Sequence, residues 1–368
     1  MKVALVHDFL TRFGGAERVL LALHKMFPDA PIYALLFDEK TREYFPNAEI
    51  RPSFIQKFPK FLRNRPKFLA PFCPTAVETF DLRDFDLVIS SSSAFAKGII
   101  VRPKTTHICY CHSPARFVHD YYHDYLKDLG AFFPKWPVKI LAHYLRIWDK
   151  TSADRVDYFI ANSKATGQRI KKYYKTEAAV IYPSVANVWS PGLQTLKSPK
   201  ENYFLIVSQL TPYKRIDIAI EAFNKMNFPL CIIGDGPDKK RLQKIAGVNV
   251  KFLGWLPEEE KWRHLENCEA LIFPGEDDFG IVLVEAMACG KPVLALRAGG
   301  ALETIIEGET GEFFDELSPE ILAAGVKRLK ENARKYDKEK IIARASEFSE
   351  ERFEKEIKEF IAGVIRKL

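Results

Sequence analysis

Nowhere does the chain stay apolar for the roughly 18 residues that a bilayer-spanning helix requires, so no transmembrane segment is expected. The opening run Lys2-Val-Ala-Leu-Val6 is too short for a secretory signal and reads as a first buried strand. Cysteine is sparse: the six residues are scattered, and only Cys109 and Cys111 stand close together. No second pair or matching histidine cluster completes a zinc site with them, which leaves reduced core thiols as the expectation. A Gly-x-x-x-x-Gly-Lys-Ser/Thr phosphate loop is missing, which argues against an ATPase. Short tandem repeats are missing too, which argues against a solenoid.

What the chain does have is length and apolar content. At 368 residues it is long for one core, so two domains are expected. Hydrophobic residues make up 47% and charged ones 28%, enough apolar material for sizeable cores on a soluble scaffold. The net charge of +7 favours an acidic partner: a nucleotide sugar, an anionic lipid surface or nucleic acid.

Short apolar runs alternate with helical patterns, the sign of parallel sheets covered by helices. Strands are expected at 3–7, 32–36, 87–90, 107–110, 158–161 and 180–182, with helices at 16–26 and 140–156. The second half repeats the style, with strands at 203–207, 230–233, 250–253, 270–273 and 292–295. Helices at 216–224, 239–245, 258–267 and 282–288 fall between them. The expected organisation is an α/β chain with one domain over 1–185, a Pro-, Ser-, Gly- and Lys-rich linker over 186–202, and a second domain over 203–346. A charged amphipathic helix over 347–368 ends the chain, with Phe353, Ile357, Phe360, Ile361 and Val364 at helical spacing.

Chemistry concentrates in residues 273–295, where a strand end, an acidic glycine-bearing turn, a helix start and a second strand follow closely. Amide groups at such a helix start have no intrahelical acceptor and can receive a phosphate. Asp277 and Glu285 stand eight positions apart, one before the turn and one on the helix, where carboxylates suit sugar hydroxyls. Further motifs are Gly14-Gly-Ala-Glu17, Cys111-His-Ser-Pro-Ala-Arg116, Ala161-Asn-Ser163, Pro212-Tyr-Lys-Arg215 and Gly299-Gly-Ala-Leu-Glu303.

With these motifs the chain resembles the family 4 retaining glycosyltransferases of the GT-B fold, whose signature is two glutamates separated by seven residues around a Phe-Gly turn. Within that family it is most similar to bacterial O-antigen and exopolysaccharide mannosyltransferases. The resemblance implies two doubly wound, Rossmann-like domains facing each other across a cleft. It implies a metal-independent transfer of a hexose, mannose from GDP-mannose, to a hydroxyl of a lipid-linked oligosaccharide or polysaccharide. No cofactor is expected beyond the nucleotide-sugar substrate, and no nucleic acid partner. The implied location is cytoplasmic, peripheral on the inner face of the membrane. In resembling enzymes the last helix crosses back to the N-terminal domain; a helix that caps only the second domain fits the pattern equally.

The same resemblance assigns roles. Gly14 and Gly15 lie against the donor diphosphate, where a missing Cβ lets backbone approach. His112 stands beside the transferring sugar, with Glu17 and Arg116 in its neighbourhood. Lys214 and Arg215 neutralise the leaving diphosphate, work that a metal does in other transferases. Asp277 takes the hexose hydroxyls, Glu276 being the alternative, and Glu285 takes the ribose. Phe279, Gly280, Ile281 and Val282 hold sugar and phosphate. Two positions depart from the family pattern: Gln209 stands where an arginine is usual, and Asp277 replaces a glutamate.

Three other features invite different readings. Gly234-Asp-Gly236 lacks the third glycine of a dinucleotide fingerprint. Asp84-Phe-Asp86 mimics a metal-binding pair but precedes a strand instead of ending one. Residues 51–75 carry six basic and no acidic side chains, interleaved with Phe54, Phe58, Phe61, Phe68 and Phe72. That mixture suits an anionic membrane surface or a solvated loop over an apolar floor, and less well nucleic acid. Three other functions use the same residues: a glycosyltransferase that takes a UDP-sugar, a nucleotide-sugar epimerase of similar fold, and a non-catalytic subunit whose site has decayed at Gln209 and Asp277.

Overall fold

The computed structural model describes residues 1–63, 66–127, 134–185 and 202–366. They form two compact units, Met1–Ser184 with Phe353–Leu368, and Val185–Arg352. Most of the linker expected at 186–202 lies outside the described residues.

The first unit holds seven strands: β1 Val3–Leu10, β2 Ile32–Phe37, β3 Ile50–Pro52, β4 Leu87–Ser92, β5 Thr106–Cys111, β6 Tyr158–Ala161 and β7 Ala178–Val180. All pair in parallel in the order β3-β2-β1-β4-β5-β6-β7. The central strands are buried almost throughout, because helices cover both faces of a parallel sheet. One face packs Leu5 and Ile108 against Leu20 and Leu23 of the helix Gly15–Met26. The same cluster takes Phe353, Ile357, Ile361 and Val364 from the last helix, Glu350–Ile365, so the chain end belongs to the first core. On the other face Ala4, Val6 and Val88 meet Cys73 and Val77 and, from the helix Lys135–Ala153, Ala142, Leu145 and Trp148.

The second unit has six parallel strands: β8 Phe204–Val207, β9 Leu230–Ile233, β10 Val250–Gly254, β11 Leu271–Phe273, β12 Val293–Leu296 and β13 Gly311–Phe314. Their order is β10-β9-β8-β11-β12-β13. Both sheets therefore show the Rossmann-type order, in which the chain builds outward from one strand and then reverses to its other side. Among the described residues no helix is long and apolar enough to cross a membrane.

Several elements differ from the sequence-based expectation. The edge strands β3 and β13 are extra, three and four residues long, too short for a pattern of period two. The helices Pro319–Glu331 and Lys338–Ser346 are also extra. The helix Lys135–Ala153 starts before position 140 because Pro137 sits in its first turn, where a proline costs no hydrogen bond. β7 covers 178–180 instead of 180–182.

Candidate functional site

In an open parallel sheet, ligands bind beyond the carboxyl ends of the strands where the strand order reverses. In the first unit that place lies after β1 and β4; in the second it lies after β8 and β11.

In the first unit, β1 leads into Gly14, the N-cap of the helix that starts at Gly15. A Cβ on Gly14 would stand 3.1 Å from Glu17 Oε2, so the carboxylate lies against this turn. Glu17 is buried, and its Oε1 is 3.5 Å from His7 Nε2. His7 pairs in register with Ser91 on β4, and its Nδ1 is 3.1 Å from both the carbonyl oxygen and Oγ of Ser91. Ser91 Oγ lies 2.8 Å from His112 Nε2, and the His112 amide donates to Ser92 O at 2.8 Å. Burial, and then the nearby His7, push His112 down to about 3, so its imidazole is neutral near pH 7. Beside this row, Asp8 accepts four amides, from Ser93 and Ala94 on one oxygen and from Phe95 and Ala96 on the other, at 2.6 to 2.9 Å. That clamp fixes the turn after β4. Arg116 lies over the Tyr121 ring at 5.1 Å.

The sequence reading missed His7, Asp8 and Ser91. A signal existed: each is a polar residue at the carboxyl end of an otherwise apolar buried strand.

In the second unit, Gln209 follows β8, and Arg215 adopts a left-handed conformation at φ 51 with Nε 3.4 Å from Asp217 Oδ1. Lys214 is buried and ion-paired: its Nζ is 2.6 Å from Asp277 Oδ2 and lies over the Tyr213 and Phe273 rings. The cation expected at a diphosphate and the carboxylate expected at a hexose are thus each other's partners. Asp278 is buried beside them, and Glu276 is half-buried in the same turn. The Gly299–Gly300 turn abuts this loop: Gly300 N donates to Asp277 O at 3.0 Å, and a Cβ on Gly299 would sit 2.2 Å from that oxygen.

Gly280 takes φ 78 as the N-cap of the helix Ile281–Ala288, a conformation that favours glycine. The amides of Ile281 and Val282 open that helix, where helical geometry offers them no acceptor. Phe279 is different from its neighbours. Its ring is buried edge-on to Phe348 at 5.5 Å, so its side chain serves the core.

Glu285 is also buried, with Oε1 2.8 Å from Lys261 Nζ, which in turn reaches Glu258 at 3.0 Å. Sequence reasoning did not single out Lys261. In the run Glu258-Glu-Glu-Lys261 it resembles a solvated helix face; only its place beside the buried Trp262 and Leu265 points inward. Asp86, half of the metal-like pair, accepts from the Lys2 amide at 2.8 Å, an anchor for the first strand. Among the described residues no cluster of three or more His, Cys, Asp or Glu is arranged to hold a metal.

The chain matches the Glycosyltransferase Family 4 model over residues 13–186 and the Glycosyl transferases group 1 model over residues 194–347. It is 30% identical over 194 residues to an uncharacterized glycosyltransferase of Methanocaldococcus jannaschii, covering 51% of this chain and 53% of that protein. It is 33% identical over 138 residues to the GDP-mannose-dependent alpha-(1-6)-phosphatidylinositol monomannoside mannosyltransferase of Mycolicibacterium smegmatis, covering 33% of this chain and 36% of that protein. The chain thus matches about half the length of the first of these relatives and less of the second. The crystal structure of Anabaena HepE with UDP and glucose superposes with a TM-score of 0.74 at 22% identity, over 99% of this chain and 100% of that one. At that identity the likeness speaks for the fold. With one model on each unit and the same architecture throughout, the chain belongs to the family 4 glycosyltransferases of the GT-B fold.

Proposed function

We propose that this protein is a retaining hexosyltransferase that moves mannose from GDP-mannose to a hydroxyl of a lipid-linked or polysaccharide acceptor. The observation that carries the reading is the pairing of Lys214 with Asp277 just before the amino end of the helix Ile281–Ala288, at the reversal point of the second sheet. A diphosphate entering there would meet an ammonium group and the amides of the helix start, both suited to anions. It would take Lys214 from Asp277, and the freed carboxylate would accept from the hexose hydroxyls, with Glu276 nearby. Lys214 and Arg215 then stabilise the leaving charge without a metal. Gln209 adds a hydrogen bond there but no charge. Glu285, oriented by Lys261, accepts from the ribose. In the first unit, Gly14 and Gly15 allow backbone to approach a diphosphate, and His112 faces a sugar hydroxyl. Glu17 reaches toward that histidine through His7 and Ser91, and Arg116, four residues after it, serves the sugar neighbourhood.

The mannosyl reading draws support from the Mycolicibacterium relative, named as GDP-mannose-dependent. HepE holds UDP and glucose, and so favours a UDP-sugar as the second reading. The test is incubation of the purified chain with GDP-mannose, UDP-glucose or UDP-galactose, with and without acceptor. The expected result is thermal stabilisation by GDP-mannose, as binding to the folded state requires, and GDP release that depends on acceptor. Turnover of a UDP-sugar alone would replace the donor. An isomerised sugar formed without acceptor would establish an epimerase, and binding without turnover a non-catalytic subunit.

An acceptor with a lipid tail implies work at a membrane surface, and the first unit has residues suited to one. On the helix Lys135–Ala153, Trp136, Ile140, Tyr144 and Ile147 recur on one stripe and are 67%, 62%, 55% and 55% exposed. Lys135 and Lys139 flank the stripe, and the only acidic residue of the helix, Asp149, is buried. Phe54, Phe61, Phe68 and Phe72 are also exposed, with Lys57 and Lys60 among them. Both segments cover the same face of the first sheet. Apolar side chains ringed by cations fit an anionic bilayer.

A further inference from the structure

We infer that His7 and Ser91 fix the tautomer of His112, holding its proton on Nδ1, and that Glu17 strengthens this arrangement from the far side of His7. The inference follows from donors and acceptors alone. The Ser91 carbonyl can only accept, and His7 Nδ1 lies 3.1 Å from it, so Nδ1 carries a hydrogen. The same N–H faces Ser91 Oγ, also at 3.1 Å. A hydroxyl has one hydrogen, and with an N–H already directed at its oxygen, that hydrogen must go elsewhere. Among the described residues its other partner is His112 Nε2, at 2.8 Å. Ser91 Oγ therefore donates to His112 Nε2, which must be bare. A neutral imidazole with a bare Nε2 carries its proton on Nδ1.

The backbone makes this order rigid. His7 and Ser91 are register partners on adjacent parallel strands, and His112 directly follows β5, the next strand over. Glu17 stands at the other end, 3.5 Å from His7 Nε2. A carboxylate there borders the outer edge of the His7 ring and helps to hold that ring where its Nδ1–H meets Ser91. The opposite order, with His112 Nε2–H pointing at Ser91, would leave two N–H groups facing one oxygen and strand the hydroxyl hydrogen in a buried site. Resting on the role proposed above, His112 then meets the ligand as a fixed hydrogen-bond donor through Nδ1–H and not as a base. Ser91, His7 and Glu17 are positioning residues.

The decisive experiment is nitrogen NMR of the full chain labelled in histidine, which separates bare from protonated ring nitrogens and needs no substrate. His7 and His112 signals are assigned by single substitution. The wild type should show a bare Nε2 and a protonated Nδ1 at His112, and Ser91→Thr, which keeps the hydroxyl, should look the same. Ser91→Ala should move His112 toward the Nε2–H form that neutral histidine favours in water. A protonated Nε2 in the wild type overturns the inference even if the alanine variant fails to fold, as does an unchanged His112 tautomer in a folded Ser91→Ala protein. In transfer assays Ser91→Ala should lower kcat about tenfold, the scale of one neutral hydrogen bond, with KM little changed. A tautomer change with no change in kcat supports the positioning row and overturns instead the role proposed for His112 in transfer.

Discussion

The two units share a strand order yet hold their candidate sites together in opposite ways. In the first, the row Glu17–His7–Ser91–His112 ends in neutral hydrogen bonds at strand ends. In the second, Lys214–Asp277 and Lys261–Glu285 are ion pairs. The fold fixes where a ligand arrives; the side chains at the strand ends decide whether the place is set for orientation or for charge. The sharpest way to break this contrast is to cut one link in each unit. Glu285→Ala leaves Lys261 buried, with the half-exposed Glu258 as its remaining ion-pair partner among the described residues, and should cost about 3–5 kcal/mol, read as a lower midpoint in urea. Ser91→Ala removes a neutral link and should cost about 1–3 kcal/mol. Equal losses would erase the distinction.

Lys214→Ala probes charge at the exposed end of the second site. Its partner Asp277 is partly open to water, so the carboxylate left behind can be solvated. Stability should fall less than in Glu285→Ala, while kcat for transfer drops about 10²–10³-fold, the usual cost of one transition-state donor. A variant that loses donor affinity but keeps kcat would show that Lys214 binds ground and transition states equally.

How far the sequence reached differs between the units in the same manner. The second site was readable because its groups lie close along the chain: the acidic turn, Gly280 and Glu285 fall within one strand–turn–helix stretch. What was hidden there is Lys261, brought to Glu285 by packing of one helix on another. In the first unit the partners are far apart; His7 and Ser91 meet only because β1 and β4 are register neighbours, although the two residues stand 84 positions apart in the chain. The central strands were clear from continuous apolar runs. The edge strands β3 and β13 were not, since three or four residues with one face exposed or a glycine inside leave no periodic signal.

Acid should separate the units further. Burial lowers His107 to about 4, and burial with His7 lowers His112 to about 3. Both histidines belong to the first unit. Below the unfolded value near 6.5, the unfolded chain binds protons that the folded chain refuses, so stability falls as pH drops from about 6.5 toward 4. For the fully buried His107 the loss is on the order of 3 kcal/mol at the low end of that window. Hydrogen exchange should accelerate at β4 and β5 before it does at β8 and β11. Simultaneous loss of protection at pH 5 would contradict the assignment of the first acid-sensitive step to His107 and His112.

The smallest effect on stability belongs to the exposed stripe of the first unit, and it is informative because it is small. Trp136, Ile140, Tyr144 and Ile147 contribute little to the core, whose side of the same helix is Ala142, Leu145 and Trp148. Replacing Ile140 and Tyr144 with serine should change the unfolding free energy by about 0.5 kcal/mol or less per site. The same change removes apolar area that would otherwise leave water at a bilayer, while Lys135→Glu with Lys139→Glu reverses the attraction to anionic headgroups. Sedimentation with phosphatidylglycerol vesicles should therefore weaken in both variants, and raised salt should weaken only the wild type and the serine variant. Binding that survives both sets of substitutions would place any lipid contact elsewhere. A serine variant that loses several kcal/mol would show that the stripe is covered in the folded protein, and the parallel with the exposed phenylalanines near Lys57 would fail with it.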